Sequence, residues 1–367
     1  MTHLISPVQP PTHTIRNLFR LGIVLTLGIL GSEIGLEPAH SQGSQAITDL
    51  AAGSQSTCIL RADGGINCWG VALVGTVPGI TTGRMLSAKG PSTCSLLASG
   101  DAVCWTTQDP TPQAVEGISA AISISVGQEH RCALHQLGSV HCWGSNLVGQ
   151  IGSGPWVGIM AESPTEVSLI RSARSITTGS RHSCAVLPDT TVACWGATWT
   201  GNGSYQPQLI EGMWGVTTLA AGDTFTCGLL SDGRVPCWGS DEFGQLGNGV
   251  LPSSGRVVLA NGIQNAVAIT AGLYHACALL EDGNVRCWGA NTLGQLGNGS
   301  HRSSPIPVAV QGIEKARLIA AGDLHTCAVL EDDQVRCWGA NDRGQLGDGS
   351  QQTRTQPVTV PRWQWAE

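Results

Sequence analysis

CALLEDGNVRCWG, residues 277–289, decides the fold. Two short apolar runs flank Glu281-Asp282-Gly283, a turn signal between strands. A three-residue loop with Gly283 in the left-handed region pairs Leu280 with Asn284 and sets Cys277 opposite Cys287. Cross-strand pairs alternate between hydrogen-bonded and open types, and this register puts the cysteines at an open site, where Cα atoms are closest. Such a site suits a cross-strand disulfide.

Seven cysteine pairs share the spacing, and tryptophan follows every second cysteine: Cys58/Cys68, Cys94/Cys104, Cys132/Cys142, Cys184/Cys194, Cys227/Cys237, Cys277/Cys287 and Cys327/Cys337. Successive first cysteines lie 36 to 52 residues apart, so spacing drifts between units and holds within them. Units of this length with several short strands read as propeller blades. The expected fold is all-β, a seven-bladed β-propeller with one hairpin disulfide per blade. Glycine recurs at the loop position in Gly64, Gly100, Gly138 and Gly233, while Thr190 and Asp333 are exceptions. Aspartate tolerates a positive φ better than most residues.

Zinc sites prefer closely spaced cysteine pairs or Cys/His clusters, and nine intervening residues place these thiols across a hairpin instead. Catalytic thiols come singly. Chain entropy assigns a loop of this size about 2.7 kcal/mol. Seven such terms do not simply add, because local hairpins partly form in the unfolded chain.

Arg16 and Arg20 precede an apolar run from Leu21 to Leu30, and Ala39-His40-Ser41 offers small residues for cleavage. Residues 1–41 therefore read as a signal peptide, leaving 42–367 as one domain. The run is short for a bilayer span. Export and fully paired cysteines agree on an oxidising compartment, periplasmic or extracellular.

Formal net charge is −7, and Lys89 and Lys315 are the only lysines. Nucleic-acid binding needs an excess or cluster of cations, which this chain lacks. No later segment reads as a transmembrane helix. Glycine, 49 of 367 residues, fits the many tight turns of an all-β chain.

The last three units share A-G, then a histidine or phenylalanine two residues before the cysteine, D-G or D-D, C-W-G and G-Q-L-G. The carriers include Ala271-Gly272, His275, Asp282-Gly283, Trp288-Gly289, Asn291 and Gly294-Gln295-Leu296-Gly297. They recur in Ala321-Gly322, His325, Trp338-Gly339, Asn341 and Gly344-Gln345-Leu346-Gly347. On these motifs the chain resembles the RCC1 (regulator of chromosome condensation) repeat family from about residue 46 to 361. The resemblance implies a seven-bladed propeller. Units one, two and four lack G-Q-L-G. The first unit also lacks a preceding P-x-x-V strand, so residues 357–361 are expected to pair with the first blade and close the ring.

Most recurrent residues read as scaffold. Trp69, Trp105, Trp143, Trp195, Trp238, Trp288 and Trp338 occupy one place, suited to packing between blades. Histidine precedes the cysteine by two in His130, His182, His275 and His325, but Phe225 fills the same place, which argues against a catalytic base. No cofactor or metal is expected. Asn298-Gly299 and Asp348-Gly349 read as turns, and no Lys-Ser/Thr follows the G-Q-L-G segments to make a phosphate loop.

Departures from the repeat are the candidate binding residues. Trp156 lies in an insertion of the third unit, and Trp199, Tyr205, Met213 and Trp214 lie in the fourth. Aromatic and methionine side chains on loops of a rigid scaffold make hot spots. Trp363 and Trp365 are expected to cap the closing blade. The expected function is an exported, non-catalytic scaffold binding an extracellular or envelope protein, or a glycan, as a monomer. The alternative is a hydrolase or lyase acting on glycan or peptide at the propeller mouth, with Asp223 and Asp323 as candidate carboxylates. The resemblance also implies a third reading, since eukaryotic members include a nucleotide-exchange factor for a small GTPase, although export argues against carrying that activity over. A secreted seven-bladed relative is a β-lactamase inhibitory protein.

Overall fold

The computed structural model describes residues 46–71, 74–197, 203–251 and 256–362. The signal-peptide reading of residues 1–41, and Trp199, Trp363 and Trp365, lie outside the described residues. Seven antiparallel four-stranded sheets follow one another in chain order. Their first strands, Ile47–Ala52, Gly83–Lys89, Ala121–Val126, Ser175–Thr178, Val216–Ala221, Ala266–Ala271 and Ala316–Ala321, together line a channel of about 360 Å³. These inner strands surround the axis, and the fourth strands form the rim.

The hairpin chemistry is as the spacing requires. Cys277 pairs with Cys287 in register, and the Leu280 N–H donates to the Asn284 carbonyl at 2.9 Å. Gly283 has φ of 77° and Asp333 has φ of 62°, both left-handed. The same register recurs in the other six blades, where Cys58 faces Cys68, Cys94 faces Cys104, Cys132 faces Cys142, Cys184 faces Cys194, Cys227 faces Cys237 and Cys327 faces Cys337. All seven pairs are bonded as disulfides, with Cα atoms 4.0 to 4.1 Å apart.

The second cysteine of each pair also faces the outer strand of its blade, as Cys104 faces Gln113, Cys142 faces Thr165 and Cys237 faces Val258. Cys142 and Cys237 are fully buried in the cores shared with blades 4 and 6. Cys104 departs from the uniform burial that a uniform repeat implies: it is half-buried at the edge of the blade 2 core, whereas the other thirteen cysteines are buried.

Each hairpin tryptophan packs back onto the preceding blade. Trp338 joins a buried cluster with Leu279 and Val285 of blade 6, and Trp288 joins one with Phe225 and Leu229 of blade 5. Burying an indole in this way contributes more than a few kcal/mol of transfer free energy per blade junction, on the order of 25 cal/mol per Å² of apolar surface.

Ring closure differs from the expectation. The strand Arg354–Val360 pairs with Val335–Gly339, with Val360 against Val335 and Val358 against Cys337, so it is the outer strand of blade 7. Blade 1 is built from its own residues. The reason is positional: Ile47–Ala52 sits at the axis, whereas a strand that follows the third strand of its own blade is delivered to the rim. Closure is instead made by packing. Trp69, Ile47 and Leu50 of blade 1 share a core with Val329, Leu346 and Val360 of blade 7.

Candidate functional site

The fifth residue before each first cysteine is Gly53, Gly127, Gly179, Gly222, Gly272 or Gly322 in six blades and Lys89 in blade 2. Glycine is needed where a ring lies over it. A Cβ on Gly272 would stand 2.1 Å from His275 Cε1, and one on Gly222 would stand 2.0 Å from Phe225 Cε1. Blade 2 carries Ser92 where those rings stand, which leaves room for a side chain.

Lys89 uses that room to reach across the axis. Its Nζ donates to the Ala221 carbonyl of blade 5 at 2.7 Å and to the Ala271 carbonyl of blade 6 at 3.5 Å. Burial pushes the amine below its ordinary value, opposed by the Asp323 and Asp223 carboxylates. Asp323 is raised by burial, with Lys89 the strongest opposing influence. Its oxygens also accept from Gln128 Nε2 of blade 3 at 2.9 Å and from the Gly90 N–H of blade 2 at 3.4 Å. Backbone bonds continue this collar, from the Asp223 N–H to the Leu273 carbonyl, from Leu273 to Asp323, and from Asp323 to Gly53. The equivalent carboxylates Asp223 and Asp323 thus converge on one mouth of the axis. Asp323 is engaged by its own chain as above, and the Asp223 carboxylate together with burial pushes the Tyr274 hydroxyl above its ordinary value, burial being the larger cause.

The four repeat histidines make blade junctions. The Nε2 atoms of His130, His182, His275 and His325 lie 2.8 to 2.9 Å from the hydroxyls of Ser183, Thr226, Thr326 and Thr57, each in the following blade. Where blade 5 has Phe225, blade 6 offers Ala276 and the two share an apolar cluster. Where blade 2 has Ser92, Arg131 of blade 3 donates to it. Burial pushes His130 and His275 down to about 3 and His182 and His325 to about 4, so all four are neutral at physiological pH.

The loop aromatics divide between the two faces of the ring. Trp156 is 93% exposed in the short 3-10 helix Pro155–Val157, on the connection between the third and outer strands of blade 3. Tyr205 of blade 4 joins it: the Gly154 N–H donates to the Tyr205 carbonyl at 2.9 Å, and the Tyr205 hydroxyl donates to the Leu147 carbonyl at 3.4 Å. Leu147, Ile159 and Met160 are also exposed, and Asn146 binds the Gly158 and Ile159 carbonyls to hold that loop together. Leu147, Trp156, Ile159, Met160 and Tyr205 are thus exposed side chains on this connection and on the blade 4 strand bonded to it.

Trp214 is 70% exposed but lies elsewhere, on the connection that feeds the inner strand of blade 5. The neighbouring Gly215 N–H donates to Thr190 Oγ1 in the hairpin loop of blade 4. Strand alternation puts hairpin loops on the face opposite the Trp156 loop. Met213 is only 2% exposed and packs with Val186, Val192 and Trp238, so it is a core residue. Sequence reading missed Lys89, although the alignment of the seven units isolates it as the one exception in a column of glycines.

A family model described as the RCC1-like domain matches residues 22–366. A 92-residue stretch is 34% identical to protein pim1 of Schizosaccharomyces pombe, covering 24% of this chain and 16% of pim1, about a sixth of that relative's length. Among solved structures, Prp20p of Saccharomyces cerevisiae, described with its binding to Gsp1p and histones, is similar over 87% of both chains at 18% identity and a TM-score of 0.66. The ectodomain of the Physcomitrella patens receptor kinase CR4 is 25% identical, with a TM-score of 0.56, over 81% of this chain and 74% of that one.

Proposed function

Because this chain belongs to the RCC1-like domain family, we propose that it is an exported, non-catalytic scaffold that docks a partner protein through the exposed side chains of Leu147, Trp156, Ile159, Met160 and Tyr205. The carrying observation is Trp156, held out at 93% exposure on a loop braced by backbone bonds. A rigid, solvent-facing indole loses little entropy on docking. Seven disulfides and no free cysteine among the described residues support an oxidising compartment. The signal-peptide reading of residues 1–41 points the same way, and the CR4 ectodomain is a relative of the same fold outside a membrane. Among the described residues, no helix is long and apolar enough to cross a membrane.

Two observations favour binding over catalysis at the axis. The Asp323 carboxylate is spent on Gln128 and Gly90, and the Lys89 amine is spent on main-chain carbonyls. The test uses mature, oxidised protein with a photocrosslinker at position 156 or position 214, exposed to the organism's exported proteins. A discrete adduct from position 156 alone supports the reading. Adducts from both positions or neither, with turnover of a glycan or peptide that Asp223→Asn abolishes, would replace it with the hydrolase or lyase.

A further inference from the structure

The Gly-Gln-Leu-Gly turn of one blade, Gly-Gln-Ile-Gly in blade 3, is roofed by the outer strand of the next in blades 3, 5 and 6, and the contact there has one form. In blades 3, 5 and 6 a turn glycine packs on that strand: Cβ positions on Gly149, Gly244 and Gly294 would stand 2.7, 2.4 and 2.7 Å from the Cα atoms of Tyr205, Pro305 and Thr355. A second glycine then donates its N–H to the same residue. Gly154 reaches the Tyr205 carbonyl, Gly249 the Pro305 carbonyl and Gly299 the Thr355 carbonyl, at 2.8 to 2.9 Å.

Blade 7 has the same turn, Gly344 to Gly347, followed by Gly349, but its successor is blade 1. There only four residues separate Gly70 from Gly75, and the outer strand is only Gly75–Thr76. Among the described residues, the outer strand of blade 1 begins at Gly75 and holds no counterpart of Ser304-Pro305-Ile306. Among the described residues, nothing stands within 4 Å of a Cβ position on Gly349, only the Ser350 carbonyl approaches that of Gly344, and no carbonyl accepts the Gly349 N–H. The opposite edge is open too. Gly196, Gly289 and Gly339 pair with Ser204, Ser304 and Arg354 of their outer strands, whereas among the described residues the register of blade 1 with its outer strand reaches Cys68 and does not extend to Gly70. Between the two edges lies a groove of about 360 Å³ lined by Trp69, Gly70, Val74, Gly344, Gly349 and Gln351.

We infer that this groove between blades 7 and 1 is a strand-acceptor site for an extended segment of a partner protein. The segment inserts between Gly70 and Gly349 as Ser304-Pro305-Ile306 inserts in blade 6. An unpaired strand edge is a template for another chain, and main-chain bonds supply the affinity in such additions. The chain's own three fillers define the occupant: a polar residue paired with the edge glycine, then Tyr, Pro or Thr whose Cα lies flat on the turn glycine. This site is separate from the blade 3 and 4 surface, and either stands without the other.

Amide exchange at Gly349, read beside Gly249 and Gly299 in the full mature protein, tests the site. The probe is a synthetic peptide of residues 302–308, Arg-Ser-Ser-Pro-Ile-Pro-Val. In the free protein the Gly349 amide is expected to exchange at least a hundredfold faster than Gly249 and Gly299. Saturating peptide is expected to slow it at least tenfold, and Val74→Arg, a change at an exposed groove residue, to abolish that slowing while Gly299 stays protected. Protection of Gly349 in free monomer would show that the chain fills its own groove and would overturn the proposal. Protection that rises with protein concentration would assign the groove to a second copy and also overturn it, as would a peptide without effect.

Discussion

His275 Nε2 lies 2.9 Å from Thr326 Oγ1, and the same hydroxyl donates to the Gln295 carbonyl at 3.2 Å. A hydroxyl that gives its proton to a carbonyl must accept from the imidazole, so the ring is the neutral tautomer with its proton on Nε2. Blade 6 and blade 7 are thus joined by a relay that an imidazolium, buried without a counter-charge, would strain.

The relay makes the propeller acid-sensitive. Histidine in the unfolded chain titrates near 6.5, while His275 is pushed to about 3. Its contribution is complete above pH 6.5 and is lost as pH falls toward 3, because the unfolded chain takes up the proton first. Each such histidine gives a slope of about 1.4 kcal/mol per pH unit in that window. Urea midpoints between pH 7 and 4.5 should fall less steeply in His275→Phe by one proton's worth, and Phe225 shows that the ring fits this position in blade 5.

Lys89 is a tie across the axis, and its removal should be felt in three other blades. Lys89→Met removes its bonds to the Ala221 and Ala271 carbonyls and the cation that opposes the effect of burial on Asp323, and should cost about 1–3 kcal/mol. Combining it with Asp323→Asn should recover part of that loss. A double-mutant cycle by chemical denaturation reads the coupling, and strict additivity would remove the tie.

Each hairpin bridge is a local staple. Cys277→Ser with Cys287→Ser should lower stability by up to about 2.7 kcal/mol without shifting the other six pairs, as judged by thermal unfolding and by mass mapping of the remaining disulfides. Because Cys104 is the one half-buried cysteine, the Cys94–Cys104 bridge should be the first to yield to a mild reductant, ahead of the buried Cys132–Cys142 and Cys227–Cys237 bridges.

The candidate binding residues should separate by role. Met213→Ala, in the core between blades 4 and 5, should cost about 2–5 kcal/mol of stability. Trp156→Ala should stay within about 0.5 kcal/mol of the parent in the same unfolding experiment, as expected for an exposed side chain.

Legibility in the sequence followed the locality of the physics. The Cys277 to Cys287 register is decided inside one hairpin, so loop length and Gly283 suffice to derive it. Ring closure depends on where Arg354–Val360 is delivered, and a terminal P-x-x-V motif carries no mark of axis or rim. The burial of Met213 was hidden for the same reason, since an irregular connection shows no period from which to read an inward face. Lys89 was legible in principle as a lone cation in a glycine column, but its partners come from blades 5, 6 and 7 and appear only when the ring is closed. The lack of a described strand over Gly349 became visible only on pairing the last turn with the first blade.

The most direct measurement is the affinity of the crosslinked partner for three forms of the mature protein by titration calorimetry. Trp156→Ala with Tyr205→Ala should weaken binding at least tenfold, about 1.4 kcal/mol, while Trp214→Ala on the opposite face should leave it within twofold. Equal affinity for all three forms, or loss confined to Trp214→Ala, would contradict a docking surface on blades 3 and 4.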